Sequence, residues 1–157
     1  MDIPQYKQLR HSYGFDEVAI VPGDITVNPD QTDIEFKIEN FTFSIPILAA
    51  AMDAVTDVNF ATLMSKLGGL AVLNLEGVQT RYENPQEVLA EIAQASDAEV
   101  TPLLQKVYSQ PVKEKLIGER IQAIKKSGAV CAVSVAPANT KRFAQIAAEA
   151  QADILVV

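Results

Sequence analysis

The sequence has no tryptophan, a single histidine and a single cysteine in 157 residues. One cysteine excludes an intrachain disulfide and a cysteine-built zinc cluster. No apolar run approaches the roughly 20 residues that a membrane helix needs, and Met1-Asp2-Ile3-Pro4 does not read as a signal peptide. Basic charge is scarce: 13 Lys and Arg stand against 20 Asp and Glu, a formal net charge of -7. Such a chain lacks the electrostatic footprint of a general nucleic-acid binder, although backbone amides can still hold an anionic small molecule. The expectation is a cytoplasmic protein with no nucleic-acid and no membrane partner. Low-complexity tracts and repeats of 20–50 residues are also absent.

What is present is apolar. Hydrophobic residues make up 48% and charged residues 21%, enough for a buried core and too apolar for disorder. The organising stretch is Ile45-Pro46-Ile47-Leu48-Ala49-Ala50-Ala51-Met52-Asp53-Ala54-Val55-Thr56-Asp57. It starts as an apolar run of strand length and ends in a turn. Asp57 can cap a helix over Val58–Leu67, Gly68-Gly69 stops that helix, and a second apolar run, Leu70–Leu75, follows. Strand, helix and strand with short connections make a parallel βαβ unit.

Before this unit, residues 1–14 read as a polar arm carrying Lys7, Arg10 and His11, whose lone imidazole fits a solvated side chain. Phe15–Val21 is a short apolar stretch ended by Pro22-Gly23, and Asp24–Asp33 is loop-like. Ile34–Ile38 and Phe41–Ile45 alternate apolar and polar residues across Glu39-Asn40, which predicts a hairpin covering one end of the sheet that follows.

Beyond Leu75 the chain reads as a polar loop, Glu76–Glu83. Asn84-Pro85 predicts a helix start with Asn as cap, Thr101-Pro102 a short helix to about Tyr108, and Pro111 a longer helix to about Lys126. The Lys113–Lys126 charges read as a solvated helix face. Val130–Ala136 is a buried-type strand, Asn139–Ala150 a helix, and Asp153–Val157 a fourth buried strand. Four βα steps suit half of an eightfold barrel or a small doubly wound sheet. No Gly-rich phosphate fingerprint follows the first strand, and the hairpin and short βα turns favour the barrel.

Several motifs resemble one family. Tyr13-Gly14-Phe15-Asp16-Glu17-Val18-Ala19-Ile20-Val21-Pro22-Gly23 is similar to the opening of the IMP dehydrogenase/GMP reductase family. The Ile45–Asp57 stretch resembles that family's first barrel strand, and Gly68-Gly69-Leu70 the opening of its second. Val72-Leu73-Asn74-Leu75-Glu76-Gly77, Thr80-Arg81-Tyr82 and the run from Leu103 to Ile121 resemble an IMP dehydrogenase-related branch that has no CBS module. The departures fit that branch. Alanines 49 and 50 stand where the family has serine before Met-Asp, and Asn74-Leu75-Glu76 replaces its usual second-strand end. The family's loop with the nucleophilic cysteine follows later strands and is not in this sequence.

The resemblance therefore implies the N-terminal half of a TIM (β/α)8 barrel, with an arm and hairpin over residues 1–44 and barrel strands 1–4 over residues 45–157. It implies an oxidoreductase of guanine nucleotide synthesis that converts IMP and NAD to XMP, inactive as this segment alone. In the family a cysteine thiolate attacks carbon 2 of the hypoxanthine ring, hydride leaves to NAD, and water releases XMP. Cys131 is rejected as that nucleophile, because it lies near the start of a buried strand whereas barrel chemistry gathers at strand C-termini.

By the same resemblance Ala50, Met52 and Asp53 border the nucleotide. Met52 lies against purine and ribose, where plain core packing is the alternative. Asp53 either caps turn amides or faces the ribose. Asn74 and Glu76 border the nicotinamide, or form a turn ahead of Gly77. Arg81 and Tyr82 touch cofactor or order their loop. A monovalent-cation site would belong to the other half, and the full-length form would be a homo-oligomer, a tetramer or octamer. GMP reductase, and a non-catalytic binding or oligomerisation module, are the alternative functions.

Overall fold

The structure is a computed structural model and describes residues 10–157. Lys7 lies outside the described residues. Two compact units are present, Met1–Asp33 and Ile34–Val157. In the described part of the first unit, Phe15–Glu17 and Pro29–Gln31 form single 3-10 turns. Gly14 donates its N–H to the Glu17 carboxylate at 2.7 Å. His11 meets Tyr13 edge to face, with centroids 4.5 Å apart.

The second unit opens with the predicted hairpin. β1 (Phe36–Ile38) pairs antiparallel with β2 (Phe41–Phe43), with Phe36 opposite Phe43 and Ile38 opposite Phe41. Four parallel strands follow: β3 (Leu48–Ala49), β4 (Leu70–Asn74), β5 (Ala132–Ser134) and β6 (Ile154–Val156), in the neighbouring order β3-β4-β5-β6. The fold matches the expected four-strand half-sheet, although the strands are shorter than the apolar runs. The ladder extends beyond the strand limits: Leu70 donates to the Ile47 carbonyl at 3.1 Å and Leu75 to that of Ser134 at 3.0 Å.

Side chains alternate across this sheet and bury both faces, as a parallel sheet demands. Ala71, Leu73 and Leu75 join Cys131 and Val133 against the helices, with Ile117, Ile121, Ile124, Phe143 and Ala147. Leu70, Val72 and Ala132 face the other way and pack with Phe43, joined by Phe36, Ile38 and Phe41. The hairpin thus covers the sheet face that the helices leave open.

α1 (Val58–Lys66) starts where predicted, since the Asp57 carboxylate accepts the Phe60 N–H at 2.7 Å. Gly68, at φ +85°, ends it. A Cβ there would sit 1.7 Å from the Ser44 hydroxyl, so this left-handed turn against the hairpin admits glycine alone.

The β4–β5 crossover departs from expectation. The segment read as a polar loop contains α2 (Val78–Arg81), in which Val78, Gln79 and Thr80 are buried. Tertiary bonds override its polarity: Thr80 Oγ1 donates to the Leu75 carbonyl at 2.7 Å, and Arg120 reaches the Gln79 carbonyl at 3.0 Å and that of Glu83 at 2.9 Å. α3 (Pro85–Gln94) begins at Pro85, but Asn84 makes no side-chain cap. α4 (Asp97–Ser109) starts at Ser96, five residues before the expected site, and carries Pro102 within it. The reason is a capping box. The Ser96 hydroxyl donates to Glu99 at 2.5 Å, and this bond holds the Glu99 carboxyl below its usual range.

α5 (Glu114–Lys126) and α6 (Thr140–Glu149) cover the sheet. The lysine face of α5 is not uniformly solvated. Lys115 pairs with Glu119 at the surface, whereas Lys125 binds the well-covered Asp153 carboxylate at 2.5 Å. The other Asp153 oxygen accepts the Cys131 N–H at 2.8 Å, which ties β5 to β6 at their N-terminal ends. Cys131 is fully buried there. Burial first, and the Asp153 charge second, push its thiol up to about 12, against a smaller opposing effect of Lys125.

Among the described residues, no helix is long and apolar enough to cross a membrane. Among the described residues, the sheet has two open edges. Ile47 and Leu48 are exposed at one and Leu155 and Val156 at the other, and Phe60 and Leu63 of α1, with Leu67 just after it, are uncovered. Unpaired edges with apolar flanks template association. Sedimentation velocity of the 157-residue chain should therefore show species larger than a monomer; one sharp monomer boundary at high concentration would contradict this. Ile121→Ala, at a fully buried position, should cost about 2–5 kcal/mol in urea unfolding. A thiol reagent should leave Cys131 unmodified in the native chain and label it at once in urea; prompt native labelling would show that the site is open.

Candidate functional site

The C-terminal ends of β3, β4, β5 and β6 lie along one rim, because the strands are parallel neighbours. Chemistry in this kind of sheet collects where the strands hand over to loops. The β3 loop is closed tightly on itself. Met52 donates its N–H to the Ala50 carbonyl at 2.8 Å, and Val55 and Thr56 donate theirs to the Met52 carbonyl at 2.9 and 2.8 Å. Thr56, 1% exposed, sends its hydroxyl to the Ala50 carbonyl at 2.9 Å. Both backbone groups of Met52 are thereby held while the residue stays 56% exposed. Ala50 is also exposed, with no side chain to obstruct the rim.

Asp53 is half-buried and makes no turn cap. Its Oδ2 accepts the Tyr108 hydroxyl at 2.6 Å, while Oδ1 is shielded and has no hydrogen-bond partner among the described residues. The carboxylate presses on Gly77: a Cβ there would lie 2.0 Å from Oδ1. Desolvation, followed by the Asp53 hydrogen bond and charge, raises the Tyr108 phenol to about 12, against a smaller lowering by Arg81. The Arg81 guanidinium stands 5.9 Å from the centre of the Tyr108 ring.

The β4 loop is similarly engaged. Asn74 Oδ1 accepts the Glu76 N–H at 2.9 Å, which is the turn role. The Glu76 carboxylate crosses to the β5 loop, accepting the Ala136 N–H at 2.5 Å and the Asn139 side-chain amide. Arg81 donates to the Glu76 carbonyl at 3.0 Å and to the Gln110 carbonyl, and the Tyr82 hydroxyl to the Val107 carbonyl at 3.2 Å. These two residues therefore order the loop.

The structure thus brings Asp53, Gly77, Arg81 and Tyr108 into contact, and joins Glu76 to Ala136 and Asn139. Met52 and Ala50 share the β3 loop with Asp53. Thr56 and Tyr108 were missed in the sequence reading. Tyr108 lies 55 residues from Asp53, and nothing local marks it. Cys131 lies at the opposite ends of the strands, as expected. A cleft of about 510 Å³ opens beside the β3 loop, between Val55 and Phe60 on one side and Leu89 and Ile92 on the other. Asp53 lines it and Met52 does not, so the cleft adjoins the β3 loop on the side away from the methionine side chain. Among the described residues, no group of three His, Cys, Asp or Glu side chains could hold a metal ion.

Known proteins bear on this arrangement. The profile of the IMP dehydrogenase / GMP reductase domain matches residues 12–157. An uncharacterized oxidoreductase of Mycolicibacterium smegmatis is 30% identical over 162 residues, covering 100% of this chain and 43% of that protein. An inosine-5'-monophosphate dehydrogenase of Streptococcus pyogenes is 39% identical over 69 residues, covering 43% of this chain and 14% of that protein. The crystal structure of an IMP dehydrogenase/GMP reductase-like protein from Corynebacterium glutamicum superposes with a TM-score of 0.86 at 31% identity, over 95% of this chain and 41% of that one. The chain thus spans less than half the length of the oxidoreductases it matches end to end, and its four strands are a portion of a TIM barrel. With a parallel rim of the right order and a family profile covering nearly its whole length, the chain belongs to the IMP dehydrogenase / GMP reductase family of oxidoreductases.

Proposed function

We propose that this chain supplies the first four strands of an enzyme that oxidises IMP to XMP in guanine nucleotide synthesis, in the cytoplasm and as a homo-oligomer. The observation that carries the reading is Met52: a soft, unbranched side chain, half exposed, on a loop whose backbone is locked at the strand-end rim. A flat purine needs such an apolar contact, and Ala50 beside it lets the ring or ribose come close. Locked backbone groups mean that little ordering is required on binding. The streptococcal dehydrogenase among the relatives supports this choice.

NAD would be bordered by Asn74 and Glu76. Each Glu76 oxygen accepts one protein hydrogen bond, and a carboxylate oxygen has room for a second. A ribose hydroxyl therefore fits against it without breaking the β5 loop. NAD, when bound, supplies the acceptor for the hydride leaving carbon 2 of the purine. This chain's own part is to hold and orient. Cys131 is buried with its thiol raised, so the nucleophile and any monovalent-cation site would come from the remaining strands.

The test is turnover by a chain that continues this segment through all eight strands. With IMP and NAD it should form XMP and NADH, and the 157-residue segment alone should form none. Met52→Ala should raise the KM for IMP about tenfold or more, as loss of an apolar contact worth about 1–3 kcal/mol predicts. Turnover of GMP with NADPH instead would assign the chain to the reductase. Turnover of neither pair would favour a non-catalytic module.

A further inference from the structure

The crossover between β4 and β5 holds more helix than a βα step requires, and α3 and α4 contribute little to the core: Pro85 and Val107 are their buried residues. Yet the end of α4 is fastened firmly to the rim. The Val107 carbonyl accepts Tyr82, the Gln110 carbonyl accepts Arg81, and Tyr108 reaches across to Asp53 at 2.6 Å. On its other side the Asp53 carboxylate lies close against Gly77, where an added Cβ would overlap it. One oxygen of this carboxylate is kept dry without a hydrogen-bond partner. A carboxylate free to rotate would turn that oxygen to water, so its orientation is imposed.

We infer that Tyr108 is a positioning residue: through its hydroxyl on Asp53, the α3–α4 excursion fixes the β3 loop that presents Met52. The chain of contact is short. Asp53 follows Met52 directly, and the Met52 carbonyl is the acceptor that closes the loop onto Val55 and Thr56. Arg81 lies against the Tyr108 ring and bonds the Glu76 carbonyl, so the same tyrosine links the β3 and β4 loops. The role assigned to Met52 rests on the proposed nucleotide reading; the fixing of the loop does not.

Tyr108→Phe keeps the ring and removes only the donor. In the 157-residue chain, amide hydrogen exchange at Val55 and Thr56 should accelerate about tenfold or more, while exchange within α1 and the melting temperature stay at wild-type values. Asp53→Asn retains an acceptor oxygen and should preserve protection; Asp53→Ala should match Tyr108→Phe, and the double variant should add nothing further. In the eight-stranded chain, Tyr108→Phe should raise the KM for IMP about fivefold with kcat within twofold. Unchanged exchange at Val55 and Thr56, or additive effects of the two substitutions, would overturn the inference. Accelerated exchange with no IMP turnover even in wild type would uphold the positioning role and remove only the nucleotide reading.

Discussion

The parallel pairing of β3, β4, β5 and β6 in unbroken neighbouring order is the constraint from which the site follows. Because every strand runs the same way, every strand-to-helix handover falls on one rim, and the loops after Ala49, Asn74 and Ser134 become neighbours. The core makes that order hold. Leu73, Ile117, Ile121 and Val133 pack the helical face, while the hairpin phenylalanines meet Leu70 and Val72 on the other. Burying both faces commits each strand to its register, since a shift by one residue would exchange the two sets of side chains.

On that rim the loops are tied to one another as well as closed individually. Glu76 spans from the β4 loop to the β5 loop, and Asp53, Gly77, Arg81 and Tyr108 join the β3 loop to the β4 loop and to the end of α4. The result is a surface whose exposed element, the Met52 side chain, is carried by backbone with little freedom. A binding surface ordered in advance loses less entropy when ligand arrives. The Asp53 and Glu76 carboxylates at the rim accept hydrogen bonds from neutral protein donors, which stiffen it and leave their charge in place.

Elements set by local chemistry were legible in the sequence. Asp57 as cap and Gly68 as stop mark α1 because each acts within a few residues of itself. Apolar runs announce buried strands, and the alternation around Glu39-Asn40 announces the hairpin. Legibility failed where distant contacts decide. The string from Glu76 to Glu83 is polar, but Arg120 satisfies its carbonyls from 37 to 41 residues away, and a helical turn is buried there. At α4 two start signals competed. The Ser96–Glu99 box outweighed Thr101-Pro102, and the proline was accommodated inside the helix. For the site, Met52, Asp53 and Glu76 stood out through a family resemblance and their place at strand ends. Tyr108 carried no such mark, because its partner is brought to it by the sheet.

In the function proposed for this chain, Met52 faces a purine nucleotide at the strand-end rim. Methyl-carbon NMR on methionine-labelled protein tests it most directly, in a chain continued through all eight strands and titrated with IMP. Met64, buried on the sheet-facing side of α1, is the internal reference, and Met52→Leu and Met64→Leu identify the two signals. The Met52 methyl should move in a saturable way while that of Met64 holds still. Saturable binding of IMP with the Met52 methyl unmoved would contradict the account.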